Sequence, residues 1–130
     1  MITSTHLVPL DRAVAREAGF RFSLFLTRAV YEDCVAWTDD DTRRIGALQD
    51  REDRLWDVLS LAADEVRELL ARNLHQRAAE YTLYRVPRDL DRTRLAELED
   101  DPDELVAQPV RLVIRRDPCG LVIDLAEAVA

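Results

Sequence analysis

Lysine is absent from this 130-residue chain, because all 18 of its basic residues are arginine. Catalysis through a lysine Schiff base is therefore excluded. We attribute the bias to a GC-rich genome rather than to selection for guanidinium groups at an interface. Glycine is also scarce, with three residues, and this argues against the glycine-rich loops that hold nucleotide phosphates.

Cysteine and histidine, which zinc prefers as ligands, number two residues each. Cys34 and Cys119 are far apart in the sequence, and with His6 and His75 they do not form the spacing of a zinc site. Both cysteines are expected to remain thiols in a reducing compartment. Cys34 falls on the apolar face of a predicted helix and is expected in the core, whereas Cys119 lies in a predicted turn and is the candidate reactive thiol.

Long apolar runs are missing as well. None approaches the roughly 18 residues of a membrane helix, and the first ten residues lack the pattern of a signal peptide. We therefore expect a cytoplasmic protein without membrane contact.

The formal net charge of −8 argues against direct nucleic-acid binding, because phosphate contacts need a basic surface. The chain is 48% hydrophobic and 34% charged, which is typical of one globular domain spanning residues 1–130.

The strongest periodic signal predicts a long amphipathic helix from about Asp50 to Asn73. An earlier start near Asp41 is an alternative that Gly46 weakens. Acids and arginines fill the opposite side, so the helix is expected to lie against a sheet or another helix. The apolar stripe consists of Leu55, Val58, Leu59, Ala62, Val66, Leu69 and Leu70.

Two shorter helices are predicted before the long one. Asp11 is a good N-cap for a helix over residues 12–18. Thr27 is expected to cap a second helix that continues to about Trp37. Between them, residues 20–26 alternate with a period of two, which indicates a strand or an extended segment.

Later segments predict the rest of a sheet. Residues 80–87 alternate as a strand, and residues 110–125 read as a β-hairpin closed by a turn at Asp117–Gly120. We predict an α+β fold with a single domain. A three- to four-stranded antiparallel sheet packs against the long amphipathic helix plus one or two shorter helices. Residues 20–26 could add an edge strand, and residues 1–5 form a loose N-terminus.

Residues 89–108 are predicted to form an acidic excursion between strands. One interpretation is a solvated loop, and the other is a phosphate-mimicking surface that occupies a nucleic-acid-binding protein. A smaller acidic run near residue 40 could cap a helix or bind a metal or partner. The candidate partner-binding residues are Glu97, Glu99, Asp100, Asp101, Asp103 and Glu104 in the excursion, and Asp39, Asp40 and Asp41 in the smaller run.

Asp53 and Asp57 lie one helical turn apart and could act as paired carboxylates in acid–base chemistry. The simpler interpretation is ion pairing along the helix, as between Asp50 and Arg54, with Trp56 at the edge of the core. No histidine, cysteine or serine lies at a spacing that would complete a catalytic unit.

Parts of the chain resemble a family of small proteins, known only as a domain of unknown function, from bacterial plasmids, conjugative elements and phages. The resemblance covers most of residues 10–88. This chain departs from the family pattern in its longer, more acidic residues 89–108 and in Ser23, where a proline is expected. The matching stretches are AREAGFRF at 15–22, which runs into LTRAVY at 26–31, then RLWDVL at 54–59 and YRVPR at 84–88.

The resemblance implies an accessory gene of a mobile genetic element, and it implies no catalytic residues. Such genes often counter host defences, so an anti-restriction or anti-CRISPR role follows as an expectation. We therefore expect a non-enzymatic protein, monomeric or homodimeric, that binds a protein partner and needs no cofactor. One alternative is a small metal-dependent enzyme that uses Asp/Glu pairs. Another is a structural or regulatory homo-oligomer joined through Phe25, Tyr84 or Val113.

Overall fold

The computed structural model describes residues 7–46, 48–72, 78–88, 107–118 and 120–126. The acidic run at 97–104, His6, His75 and Cys119 lie outside these ranges, so the expectations about them stay predictions. Five strands form one sheet, and the helices are α1, α2, α3 and α4, with a π-helical segment directly after α2. The elements in chain order are β1 (Leu7–Pro9), α1 (Arg12–Glu17), β2 (Leu24–Thr27), α2 (Arg28–Val30), the π-helical segment (Tyr31–Val35), α3 (Asp39–Ile45), α4 (Arg51–Ala71), β3 (Ala78–Arg85), β4 (Gln108–Asp117) and β5 (Gly120–Leu125).

The α+β class, the long helix and the hairpin of β4 and β5 are confirmed. The sheet is larger than expected, with strands in the order β1-β2-β5-β4-β3. It is also mixed, because β2 pairs parallel to β5 while the other neighbours pair antiparallel. The segment after Gly19 therefore lies inside the sheet and not at its edge, since β1 covers its outer side.

The parallel pairing of β2 and β5 depends on a close approach of two backbones. The amide of Leu121 donates to the carbonyl of Ser23 at 2.9 Å. Gly120 has a φ of +147°, and a Cβ built there would lie 2.3 Å from that carbonyl oxygen. Only glycine accommodates both the backbone angle and the contact, so Gly120 serves the sheet as well as the hairpin turn.

The core lies between one face of the sheet and the helices. Leu24 and Leu26 of β2 alternate with half-buried Phe25, which is the period of two that the sequence indicated. Fully buried side chains come from both the sheet and the helices. Replacing one of the large ones by alanine would lower the free energy of unfolding by about 2–5 kcal/mol. The largest of them are Leu24, Leu26, Leu59, Leu112 and Ile123.

Helix α4 begins where the sequence predicts, because the side chain of Asp50 accepts a hydrogen bond from the amide of Glu52 at 3.2 Å. Val58, Leu59 and Ala62 are buried as expected. Leu70 was expected in the same stripe, but it is 72% exposed. It lies in the last turn of the helix, beyond the region that packs against the sheet. The alternative start near Asp41 corresponds to the separate helix α3.

Thr27 caps helix α2 as predicted, and the helix changes to a π-helix after Val30. The amide of Ala36 donates to the carbonyl of Tyr31, five residues earlier, at 2.8 Å. Despite this change of period, Cys34 and Trp37 are buried as the helical pattern indicated. A wider turn of this kind is often found at functional positions in proteins.

The second face of the sheet carries a partly buried chain of polar side chains. The hydroxyl of Thr27 accepts from the amide of Val30 at 3.3 Å and donates to Asp124 at 3.1 Å. Arg115 donates to the other carboxylate oxygen of Asp124 at 3.1 Å. The cap of α2 is thereby linked to β5 and β4. Among the helices described, none has both the length and the apolarity needed to cross a membrane.

Candidate functional site

Arg54 is the centre of a buried charged cluster and is only 4% exposed. Its Nε donates to the carbonyl of Val35 at 3.2 Å, and its terminal nitrogens donate to those of Val86 and Asp33, each at 3.0 Å. Desolvation lowers the pKa of this guanidinium. Arg54 therefore joins α4 to the end of the π-helical segment and to the residue after β3.

Arg85, the last residue of β3, lies beside Arg54 and pairs with Asp33. One terminal nitrogen lies 3.1 and 3.0 Å from the two carboxylate oxygens, and the other donates to the carbonyl of Gln108 at 3.0 Å. Its Nε is buried and has no hydrogen-bond partner among the described residues. Two cavities, of ≈470 and ≈230 Å³, meet at this side chain.

Asp41 anchors a second ionic group nearby. It accepts from Arg88 at 2.9 Å, from Arg44 at 2.6 Å and from the amide of Thr38 at 2.9 Å. Burial would raise the pKa of this carboxyl, but the hydrogen bonds from Thr38 and Arg88 outweigh it and hold the pKa below its ordinary value. Thr38 and Asp41 together form a capping box at the start of α3.

The smaller acidic run thus divides into two kinds of residue. Asp41 is buried and bonded inside the protein, so its carboxylate is not presented to a partner. Asp39 and Asp40 are exposed, and Asp40 lies 3.7 Å from Arg43. Within the described ranges, no group of three or more His, Cys, Asp or Glu residues could hold a metal ion. Partner binding by Asp39 and Asp40 stays a prediction.

Cys34 is the described thiol, and it is buried in the core. Desolvation, aided by the charge of Asp33, raises its pKa to about 12. The thiolate that nucleophilic chemistry requires is therefore not populated at neutral pH. Burial also raises the pKa of Tyr81, whose hydroxyl donates to the carbonyl of Val58 at 3.2 Å.

A different kind of feature lies at the edge of the sheet. Strand β3 is eight residues long and pairs with β4 on one side only. No backbone hydrogen bond from another described residue falls on its outer side. The opposite edge, β1, has three residues and ends at Pro9. Short strands and prolines protect edges from pairing, so β3 is the open edge of this sheet as far as the described residues show.

Helix α4 runs beside this open edge in the opposite direction. Arg54 contacts Val86, and Val58, one turn later, contacts Tyr81 earlier on the strand. Asp57 lines the ≈230 Å³ cavity together with Leu83, Tyr84 and Arg85 of β3. Residues three, four, seven and eleven apart share one side of a helix. The side that includes Asp57 therefore also carries Asp53, Leu61, Asp64 and Glu68.

We call the outer edge of residues 78–85 and this flank of α4 the β3–α4 groove. The flank is acidic, and Asp53 and Asp57 form no ion pair within the described part of the chain. Asp64 pairs with Arg67, and Glu68 pairs with Arg72 at 3.0 Å, but both pairs are exposed. Burial raises the pKa of Asp57, and the charge of Asp53 adds a smaller effect in the same direction.

The structural role of Arg54 was missed by the sequence interpretation, which paired it with Asp50 on the helix surface. One signal could have identified it, because Arg54 lies four residues before Val58 and so continues the apolar stripe. An arginine in such a stripe must find acceptors in the core. The open edge of β3 could not be identified from sequence, because it depends on the order of all five strands.

Comparison with known proteins leaves the family of this chain open. No protein-family model matches the chain, and no similar protein was found among the curated proteins or the solved structures. The resemblance to small proteins of plasmids and phages therefore stays a prediction.

Proposed function

We propose that this protein is a non-enzymatic, cytoplasmic binding protein that acts by occupying a protein partner. The observation that carries the proposal is the β3–α4 groove, where the eight-residue strand β3 has no pairing partner on its outer side among the described residues and Asp57 of α4 lies beside it. Exposed strand edges bind extended segments of other proteins through main-chain hydrogen bonds. Asp57 lines a cavity with Leu83 and Tyr84 of that strand, so its carboxylate is available to a basic side chain of the partner.

The chemistry of the buried cluster supports binding over catalysis. Arg54 donates to backbone carbonyls of two other segments, the π-helical segment and the residue after β3. Asp41 takes part in the capping box of α3, and Arg88 donates a hydrogen bond to Asp41. Cys34 is held as a neutral thiol. These groups hold the ends of helices and strands in place, and their role is to stabilise the fold.

The partner that we propose is a nucleic-acid-binding defence protein of the host, such as a restriction nuclease or a CRISPR effector complex. Proteins of that kind carry basic surfaces for phosphate, to which the acidic flank is complementary. The net charge of −8 has the sign that this requires. The resemblance to proteins of mobile genetic elements points to the same class of target.

An inhibition assay tests this proposal. Purified protein would be titrated into DNA-cleavage reactions of a panel of restriction nucleases and CRISPR effector complexes. We expect cleavage by at least one member to stop near a 1:1 molar ratio of this protein to the nuclease, because each molecule of a binding protein stays bound to one molecule of its target. No inhibition at tenfold molar excess, or inhibition by trace amounts, would contradict a binding role.

A further inference from the structure

We infer that the ≈470 Å³ cavity beside Arg85 binds a small organic acid, which has one carboxylate for the guanidinium groups of the cavity and an apolar body for the rest of it. The cavity lies where β3 ends and β4 begins, next to the π-helical segment. Its described lining includes no residue of α4, so the inference does not depend on the proposed function of the β3–α4 groove.

Arg85 has one hydrogen-bond donor left over. One terminal nitrogen donates to both carboxylate oxygens of Asp33, and the other donates to the carbonyl of Gln108. The Nε is buried and has no partner among the described residues, and the whole side chain is 14% exposed. A buried N–H without an acceptor costs free energy, and native proteins commonly satisfy such a group with water, an ion or a ligand. A ligand that brings an acceptor to this donor therefore gains affinity.

The size of the cavity favours a ligand over a single water. Small-molecule sites have volumes of about 300–1,000 Å³, and the ≈470 Å³ beside Arg85 lies in that range. A water molecule takes up about 30 Å³, so one water would leave most of the cavity unfilled. Because Nε is buried, an acceptor reaches it when the side chain turns toward the cavity, and the open volume gives it room to do so.

The charges of the lining select a single carboxylate. Arg85 and Arg111 contribute two positive charges and Asp33 one negative charge, which leaves a net charge of +1 on the lining. Arg111 also donates to Glu80 at 2.9 Å, but both side chains of that pair are more than half exposed. Exposed pairs are weak, and a guanidinium has further N–H groups for another acceptor. A doubly charged phosphate would meet repulsion from Asp33 and Glu80, whereas a monoanion matches the net charge.

The remaining lining explains why the ligand should be an organic acid. Pro109, Val110 and Leu125 line the same cavity, and Val110 and Leu125 also pack against the core. Apolar side chains with a few convergent polar groups are typical of small-molecule sites. Asp33 comes from the π-helical segment, and π-helical turns are frequent at functional positions.

The first test observes the arginine side chains of the full chain directly by ¹H–¹⁵N NMR, with hexanoate as the probe. We expect the Nε–H signal of Arg85 to shift saturably, while that of Arg54, which donates to Val35, stays in place. Hexanamide and inorganic phosphate should each bind at least about tenfold more weakly than hexanoate. No saturable shift of the Arg85 signal up to about 10 mM hexanoate would overturn the inference. Tighter binding of phosphate or of hexanamide would overturn the organic acid as its ligand.

The second test locates the site with two exposed arginines of β4. Arg111→Gln removes a guanidinium from the cavity and should weaken hexanoate binding about three- to tenfold. Arg116→Gln is the matched control, since Arg116 is exposed on the same strand but does not line the cavity, and it should bind as the wild type does. Circular dichroism checks that both variants are folded. Equal affinity of the two variants, whether both are unchanged or both are weakened, would overturn the cavity as the binding site.

Discussion

The guanidinium carbon of Arg54 lies 4.8 Å from the centroid of the Trp37 ring. The buried cation therefore has an aromatic face on one side, while its edge is surrounded by the carbonyls of Val35, Val86 and Asp33. Stacking of this kind is stabilising when both groups are removed from water. Three segments that are distant in sequence meet at this one side chain, namely residues 33–37, helix α4 and the residue after β3.

Replacing Arg54 by methionine should destabilise the fold by about 2–4 kcal/mol, because the carbonyls of Val35 and Val86 lose their donor while they remain buried. The free energy of unfolding measured by urea titration checks this. Arg51→Met is the matched control, since Arg51 is an exposed arginine on the same helix, and its effect should stay within about 0.5 kcal/mol. Equal effects of the two substitutions would refute the clamping role of Arg54.

Asp41→Asn should lower stability by about 2 kcal/mol at pH 7, since Arg88 and Arg44 lose their charged acceptor. The pKa of Asp41 is lowered in the folded state, so its stabilisation is fully present above the ordinary range of aspartate near about 3.9. It is lost as the pH falls through the folded pKa. The difference between wild type and Asp41→Asn should therefore be constant at neutral pH and shrink in acid. Asp39→Asn, at an exposed position on the same helix, should show a much smaller difference.

Local patterns predicted more of this fold than long-range relationships did. The caps at Asp11 and Thr27 were correct because each depends on a side chain two or three residues from the amide whose hydrogen bond it accepts. The parallel pairing of β2 with β5 was missed, because the strands are about a hundred residues apart and no local pattern encodes their meeting. The π-helical segment was missed because it preserves the burial of Cys34 and Trp37.

Cys34 should resist alkylation in the native protein, because burial raises its pKa to about 12. The experiment uses the Cys119→Ser variant, so that Cys34 is the only thiol. Iodoacetamide at pH 8 should leave the folded protein unmodified and should label it completely in denaturant, as measured by intact mass. Rapid labelling of the folded variant would show that the thiol is accessible.

Gly120→Ala should weaken the fold strongly, by about 2–3 kcal/mol, since its Cβ would overlap the carbonyl oxygen of Ser23. Gly46→Ala provides the comparison. Gly46 also has a positive φ, of +85°, but a Cβ there meets nothing within 4 Å, so only the backbone cost of about 1 kcal/mol applies. Thermal unfolding of both variants gives the ranking, and a larger loss for Gly46→Ala would contradict the close approach.

Asp57→Asn should keep or raise stability at pH 7, unlike the other substitutions. Burial and Asp53 raise the pKa of Asp57, so its ionised form is less favourable in the folded protein than in the unfolded chain. The advantage of the variant should disappear as the pH falls through the folded pKa toward the ordinary aspartate range. Asp64→Asn, which gives up an exposed pair with Arg67, should show no such gain. Denaturant midpoints between pH 4 and 7 check both.

The candidate sites were also predicted only as far as local sequence patterns reach. Asp53 and Asp57 were identified as neighbours from their spacing alone, and they are exposed on one flank of α4. What they face could not be read from the sequence, because it is set by the contact of α4 with β3 through Arg54 and Tyr81. The acidic run at 97–104 lies outside the described residues, so its role stays a prediction.

Strand β5 occupies the middle of the sheet, between β2 and β4, although it is the last of the five strands to leave the ribosome. Until residues 120–125 have been synthesised, β2 and β4 each present an edge without a neighbour. A polypeptide interrupted before Gly120 consequently exposes two strand edges, those of β2 and β4, that the finished sheet covers. Such fragments would aggregate or be degraded, so translation must pass this strand before the protein can become stable.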